Sequence, residues 1–148
     1  MDRRASVSRK TNETEISVCF DIDGSGNVDI STGIPFFDHM LTAFAIHGFF
    51  DLKINAVGDL DVDYHHTIED IGLVLGQALS KALENKKAIV RFGDFCVPMD
   101  EALSRVTIDV SNRPYLVYNF PRDLKVKGKF DAYLVKEFFQ AFCVQGAL

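Results

Sequence analysis

The stretch DYHHTIED, residues 63–70, sets two imidazoles side by side and a carboxylate three places after the second. On a helix, at about 100° per residue, His66 points a quarter-turn away from His65, and Glu69 returns to an angle between them. The two rings cannot readily share one ion, whereas Glu69 can join either. The spacing thus describes two neighbouring metal positions served by one helix turn. Imidazole and carboxylate without thiolate suit manganese, iron or zinc, and a six-coordinate site of this kind leaves room for a substrate. The order H-H-x-x-E differs from H-E-x-x-H, in which two histidines one turn apart grip a single zinc, so a zincin protease is disfavoured. A structural reading stands beside the chemical one: paired histidines can open a helix whose dipole suits Asp61, Asp63 and Glu69.

The elements that must hold this turn are legible in outline. ASVSRKTNETEISVCFDI is strand-rich, with alternation clearest at Ile16, Val18 and Phe20; DGSGN follows as a turn, which together predict a hairpin. STGIPFFDHMLTAFAIHG is punctuated as a helix, with Ser31 or Thr32 as cap, Pro35 in the first turn and Gly48 at the close. Its apolar positions Phe37, Met40, Leu41 and Phe44 recur at helical spacing. DLKINAVGD reads as a strand, and HHTIEDIGLVLGQALSKALENKK as the longest helix, with Ile68, Ile71, Leu75, Leu79 and Ala82 on one face. Gly72, Gly76 and Ala78 predict that this helix lies close on a sheet. A second series starts at Arg91: SRVTIDVS and YLVYNF as strands, RDLKVKGK as a polar connection and DAYLVKEFFQAFCVQG as a helix.

The two series look related. DHMLTAFAIHG (38–48) aligns without a gap on KEFFQAFCVQG (136–146), matching Ala43 with Ala141, Phe44 with Phe142 and Gly48 with Gly146, and placing His39 on Glu137. No low-complexity linker intervenes, so the reading is one domain, 1–148, with repeat halves of about 1–90 and 91–148. In the first half the repeat continues through a strand into the HHTIE helix; the second lacks that strand and helix.

Composition narrows the function classes. The 148 residues are 47% hydrophobic, enough for one domain with its own core. A formal charge of -5, with 16 basic residues scattered among 21 acidic ones, disfavours a nucleic-acid surface. Cys19, Cys96 and Cys143 are far apart and form no C-x-x-C pair, which suggests neither a disulfide framework nor a thiolate zinc site and fits a reducing cytoplasm. No apolar run approaches the ~18 residues of a membrane span, and MDRRASVSRK carries no signal-peptide core. His47, in a helix's last turn, suits the dipole there, and Asp100 and Glu101 read as capping or solvated acids. The phenylalanines read as core or interface material. A non-catalytic metal-binding module would also account for HHTIE alone.

Taken together, TNETEI, TGIPFFDHML, GDLDVDYHHTIEDIGLVLGQAL, RFG, PMDEAL and DVSNRP, in this order over nearly the whole chain, resemble the imidazoleglycerol-phosphate dehydratase family of histidine biosynthesis. The resemblance implies an α+β fold of two tandem sheet-plus-helix halves, like the second domain of ribosomal protein S5, here with an incomplete second half. It implies a lyase holding two manganese ions and acting on imidazole glycerol phosphate. It further implies a shell-like homo-oligomer, a 24-mer in the family, with metal sites between subunits. His39, His65, His66 and Glu69 are the implied metal ligands; Glu137 stands where members commonly have histidine. Glu13 is the implied proton-transfer group, and Arg91 and Arg113 the phosphate-binding arginines. In the family each metal takes ligands from both halves, and the second half's own HHxxE helix is absent from this sequence. The 148 residues alone are therefore expected to be inactive.

Overall fold

Residues 2–84, 86, 87, 89–121 and 130–148 are described in a computed structural model, and their strands and helices form an α+β arrangement. Strands β1 (Arg4–Lys10) and β2 (Thr14–Asp21) are antiparallel, and β2 also pairs antiparallel with β4 (Asp51–Gly58). β3 (Val28–Ser31) lies parallel on the far side of β4, giving the order β1-β2-β4-β3. The predicted alternation is what this sheet needs, because one face is buried. Ile16 faces Ala56, Val18 faces Ile54 and Phe20 faces Leu52 across the β2–β4 ladder, and all six are buried. Helix α1 (Pro35–Gly48) connects β3 to β4, and α2 (His65–Leu83) lays Ile68, Ile71, Val74, Leu75 and Ala78 into the same core. Leu79, from the predicted face, is partly buried there and Ala82 is buried.

The hairpin sits elsewhere than the sequence suggested. β1 and β2 are joined through Thr11, Asn12 and Glu13, while DGSGN carries the chain past β4 to β3. Asp51 explains the course of that loop: its Oδ1 accepts hydrogen bonds from the backbone N–H groups of Ser25 (2.8 Å) and Asn27 (2.9 Å). In α1 the N-cap is Ile34, not Ser31 or Thr32. Thr32 acts from outside the helix, where its N–H and hydroxyl both donate to Asp38 Oδ1, at 2.9 and 2.6 Å. Phe37, Leu41 and Ala45 form the buried stripe, whereas Met40 and Phe44 are exposed.

The second half contains the hairpin of β5 (Phe92–Met99) and β6 (Ala102–Asp109), turning at Asp100 and Glu101, and helix α3 (Tyr133–Gly146). YLVYNF is not a strand. It has no regular structure, and Tyr115 N–H donates instead to the carbonyl of Leu148 at 3.0 Å. RDLKVKGK falls on 122–129, outside the described residues. Helices α1 and α3 are each 14 residues long, and the residue after each, Phe49 or Ala147, is left-handed (φ 57° and 55°). The internal alignment thus marks two helices that end in the same way.

Gly72 and Gly76 serve a helix, not the sheet. A Cβ on Gly72 would stand 2.6 Å from the Phe138 carbonyl oxygen, and one on Gly76 2.6 Å from that of Phe142. Their bare backbone lets α3 dock directly on α2. Phe37 of α1 meets Phe138 of α3 edge-on at 5.3 Å, which ties α1 to the helix docked on α2.

Candidate active site

The first turn of α2 begins just after β4, and Gly58 at the end of that strand makes the junction possible. A Cβ there would run into the side chain of Thr67, which is fully buried. Asp63 Oδ1 accepts the His65 N–H at 2.7 Å, satisfying one free donor of the helix start. Of the three acids whose charge was expected to suit the helix dipole, Asp63 meets a backbone N–H of the helix start.

His65 and His66 diverge as the helix angle requires: their ring centroids are 5.9 Å apart with planes inclined by 32°. Each has its own carboxylates. His65 Nε2 lies 3.2 Å from Glu69 Oε2, one turn on, and 4.0 Å from Glu137 Oε2 on α3. His66 Nδ1 lies 3.0 Å from Asp59 Oδ2 and 3.9 Å from Glu13 Oε2 at the β1–β2 turn. One helix turn therefore serves two groups of donors, drawn from both ends of the chain.

The two groups differ in hydrogen bonding. Because the Asp59 carboxylate is acceptor-only, His66 Nδ1 carries a proton, and in the neutral ring Nε2 keeps its lone pair, the arrangement by which a carboxylate orients a ligating imidazole. The hydrogen bond to Asp59, aided by the charges of Glu13, Asp59 and Asp63 and opposed by desolvation, raises the His66 pKa above its ordinary value. On the other side, the Tyr133 hydroxyl is hydrogen-bonded to Glu137, which with the charge of Glu137, desolvation and the charge of Glu69 raises the tyrosine pKa. Neither Asp59 nor Tyr133 was singled out from the sequence. Asp59 lies six positions before His65 among several acidic residues, and only the β4–α2 junction brings it back to the ring.

Other expected residues lie apart from the pair. His39 is exposed on α1, and its side chain has no hydrogen bond or ion pair to a described residue. Arg91 grips Asp109 with both arms, Nε to Oδ1 at 2.6 Å and Nη2 to Oδ2 at 3.0 Å, and its guanidinium lies 4.8 Å from the centre of the Phe92 ring. Arg113 is exposed, and its charge, after the hydrogen bond and charge of Arg91, helps hold Asp109 below the usual carboxylate range. Of the two arginines, Arg91 alone contacts Asp109, a residue the sequence reading did not identify.

As a test of metal fit, the donor set is imidazole and carboxylate without thiolate, and Asp59 Oδ1 is buried with no hydrogen-bond partner. That chemistry suits a hard-to-borderline divalent cation. Among the described residues no group of three or more His, Cys, Asp or Glu side chains is placed to hold a metal ion.

Comparison with known proteins identifies the family. The family model for imidazoleglycerol-phosphate dehydratase matches residues 32–148. Dehydratases of that name from Syntrophobacter fumaroxidans and Caldanaerobacter subterraneus are 55% and 59% identical; the matches cover 97% and 95% of this chain and 73% and 72% of theirs. Crystal structures of the enzymes from Staphylococcus aureus and, in complex with (S)-C348, Pyrococcus furiosus are each 38% identical, with TM-scores of 0.85 and 0.80. They align with 97% and 95% of this chain and 79% and 74% of theirs. No described helix is long and apolar enough to cross a membrane. The chain belongs to the imidazoleglycerol-phosphate dehydratase family, hydro-lyases of histidine biosynthesis.

Proposed function

We propose that this chain contributes to a manganese-dependent dehydration of imidazole glycerol phosphate to imidazole acetol phosphate. The reading rests chiefly on the approach of Glu137, from α3, to the His65–Glu69 pair of α2. His65, Glu69 and Glu137 would hold one ion and His66 the other, with His39 serving a site completed by a neighbouring subunit. Bound manganese would polarise the imidazole ring of the substrate as a Lewis acid. Glu13, beside His66, takes the proton from the carbon one removed from the ring while the ring-adjacent hydroxyl leaves; the resulting enol becomes the ketone. Arg91 and Arg113 bind the phosphate, whose oxygens replace Asp109 in the guanidinium fork. The protein works in the cytoplasm, as a homo-oligomer with metal sites between subunits.

The 148 residues contain a single paired-histidine motif, so this polypeptide alone should not turn over substrate at saturating manganese. A form extended by a strand and an HHxxE helix should. Comparable turnover by both would overturn the two-half site. In the extended form, His65→Ala and His66→Ala should each deplete a different one of the two metal positions, read by metal analysis. Full retention in both variants would refute the ligand assignment. Arg91→Ala or Arg113→Ala should weaken substrate binding about ten- to a hundredfold at unchanged metal content. Loss of metal instead would assign these arginines to the fold.

A further inference from the structure

Next to Glu69 in the sequence, Asp70 points the other way around the helix, is buried, and is not used by the donor groups above. One of its oxygens, Oδ2, accepts hydrogen bonds from the Thr14 hydroxyl of β2 and from Arg9 Nη1 of β1. A carboxylate only accepts, so Thr14 must donate, and its lone pairs face the Thr11 hydroxyl 3.2 Å away. Thr11 Oγ1 in turn accepts the backbone N–H groups of Glu13, at 3.2 Å, and Thr14, at 3.0 Å. Thr14 thus donates to Asp70 and the Glu13 and Thr14 amides donate to Thr11, whose one hydroxyl proton lies between Thr14 Oγ1 and the Thr14 carbonyl oxygen, 3.4 Å away. Thr14 is buried and Thr11 half-buried, whereas the Glu13 side chain is exposed. Glu13 has no hydrogen bond of its own side chain to a described residue, so its place near His66 is set by its backbone.

We infer that Asp70 is a positioning residue, which through Thr14 and Thr11 fixes the Glu13 turn against the helix turn bearing His65, His66 and Glu69. Glu13 and the paired histidines come from distant parts of the chain, and this buried hydrogen-bond path joins their two backbones directly. The inference rests on the reading of Glu13 as the proton-transfer group. Losing the path leaves Glu13 present and ionisable but misplaced, and a displacement of about 1 Å at a reacting group can lower a rate on the order of a hundredfold.

The test uses Thr14→Val, which keeps the shape of the side chain and the Arg9–Asp70 pair but removes the hydroxyl, with Thr14→Ser as rescue. In the manganese-loaded enzyme completed by a second HHxxE helix, Thr14→Val should lower kcat about ten- to a hundredfold with KM and metal content nearly unchanged. Thr14→Ser should restore most of it. Independently of activity, hydrogen exchange on the 148-residue chain should show faster exchange at the Glu13 and Thr14 amides in Thr14→Val and Asp70→Asn, while amides in the middle of α2 stay protected. Wild-type kcat in Thr14→Val, a loss not rescued by serine, or unchanged amide exchange would overturn the positioning role. Glu13→Gln separates this from the reading beneath it: full activity in that variant removes Glu13 from the reaction, and with it any catalytic consequence of Asp70, whatever the exchange rates show.

Discussion

The sheet of the first half and the hairpin of the second are built from similar material and meet different fates. β2 and β4 alternate apolar and polar residues and bury the apolar ones beneath α2. β5 and β6 also carry an apolar face: Gly93, Phe95, Val97 and Met99 register with Ile108, Val106, Ser104 and Ala102. Yet Phe95 is 71% exposed and Met99 72% exposed. Alternation makes a strand amphipathic; only a second layer turns that into burial. The site follows the same division, since the donors near His65 and His66 stand on elements packed into the core, while Arg91 stands on the uncovered hairpin's edge.

The largest expected effect separates the two regions by stability. Ile71→Ala removes a fully buried side chain beneath the first sheet and should cost about 2–5 kcal/mol in chemical denaturation. Val106→Ala on the hairpin's apolar face should change stability by less than about 0.5 kcal/mol. Equal costs would mean that the hairpin is covered in solution.

Gly72→Ala should come next, at about 1–3 kcal/mol despite alanine's better helix propensity, because the added methyl meets a backbone carbonyl that cannot turn aside. Relief requires α3 to move away from α2 at Phe138, and Glu137 precedes that residue. Thermal melting should therefore fall together with manganese retention. A lower melting temperature with undiminished metal binding would detach Glu137 from the site.

A smaller effect is expected on association. The apolar face of β5–β6 and its two strand edges, unpaired among the described residues, favour contact between molecules of the 148-residue chain. Phe95→Ser with Val106→Thr should lower the mass measured by sedimentation without lowering the melting temperature. Unchanged self-association would place the sticky surface elsewhere, for instance at exposed Phe36, Met40 and Phe44 on α1.

What could be read in advance divides along physical lines. Periodicity reports a residue's own burial, so Ile16, Val18, Phe20 and the stripe of α2 were visible. It does not name the neighbour. Gly72 and Gly76 announced a close approach, but the sequence could not distinguish a sheet from α3. DGSGN announced a turn, but the parallel seat of β3 depends on Asp51 collecting the loop's amides. YLVYNF has strand composition and finds no ladder, while β5 was overlooked because Gly93 and Pro98 interrupt its pattern. At the site, the divergence of His65 and His66 follows from helix angle alone, and Glu137 emerged from the repeat. Asp59, Asp70 and Asp109 did not emerge, because an acid that orients an imidazole, a turn or an arginine looks in sequence like any other acid.

The finest comparison is between two carboxylates, one from each region. Asp51 accepts hydrogen bonds from the backbone of Ser25 and Asn27, chiefly, and its pKa is lowered to about 2. Asp109 is also lowered, but by the hydrogen bond and charge of Arg91 with a contribution from Arg113. Both shifts favour the charged form in the folded chain, so each contributes stability that is present above the ordinary carboxylate pKa and is lost as pH falls through the folded value. For Asp51 that window runs from the ordinary carboxyl value of 3.8 down to about 2. The causes respond differently to salt. Backbone amides are fixed dipoles held by the loop, whereas the Arg91–Asp109 pair is an exposed contact between full charges, and such an attraction is weakened when the Debye length shrinks to about 3 Å at 1 M salt. Carboxyl carbon NMR titrations at low and high salt should therefore show the Asp109 midpoint rising toward the ordinary range while that of Asp51 stays near its low value. Asp51→Asn should remove the low midpoint and loosen the amides of Ser25 and Asn27 without touching Asp109. If both midpoints moved equally with salt, Asp51 would be held by charge and not by the loop, and the backbone tie that directs DGSGN past β4 would be wrong.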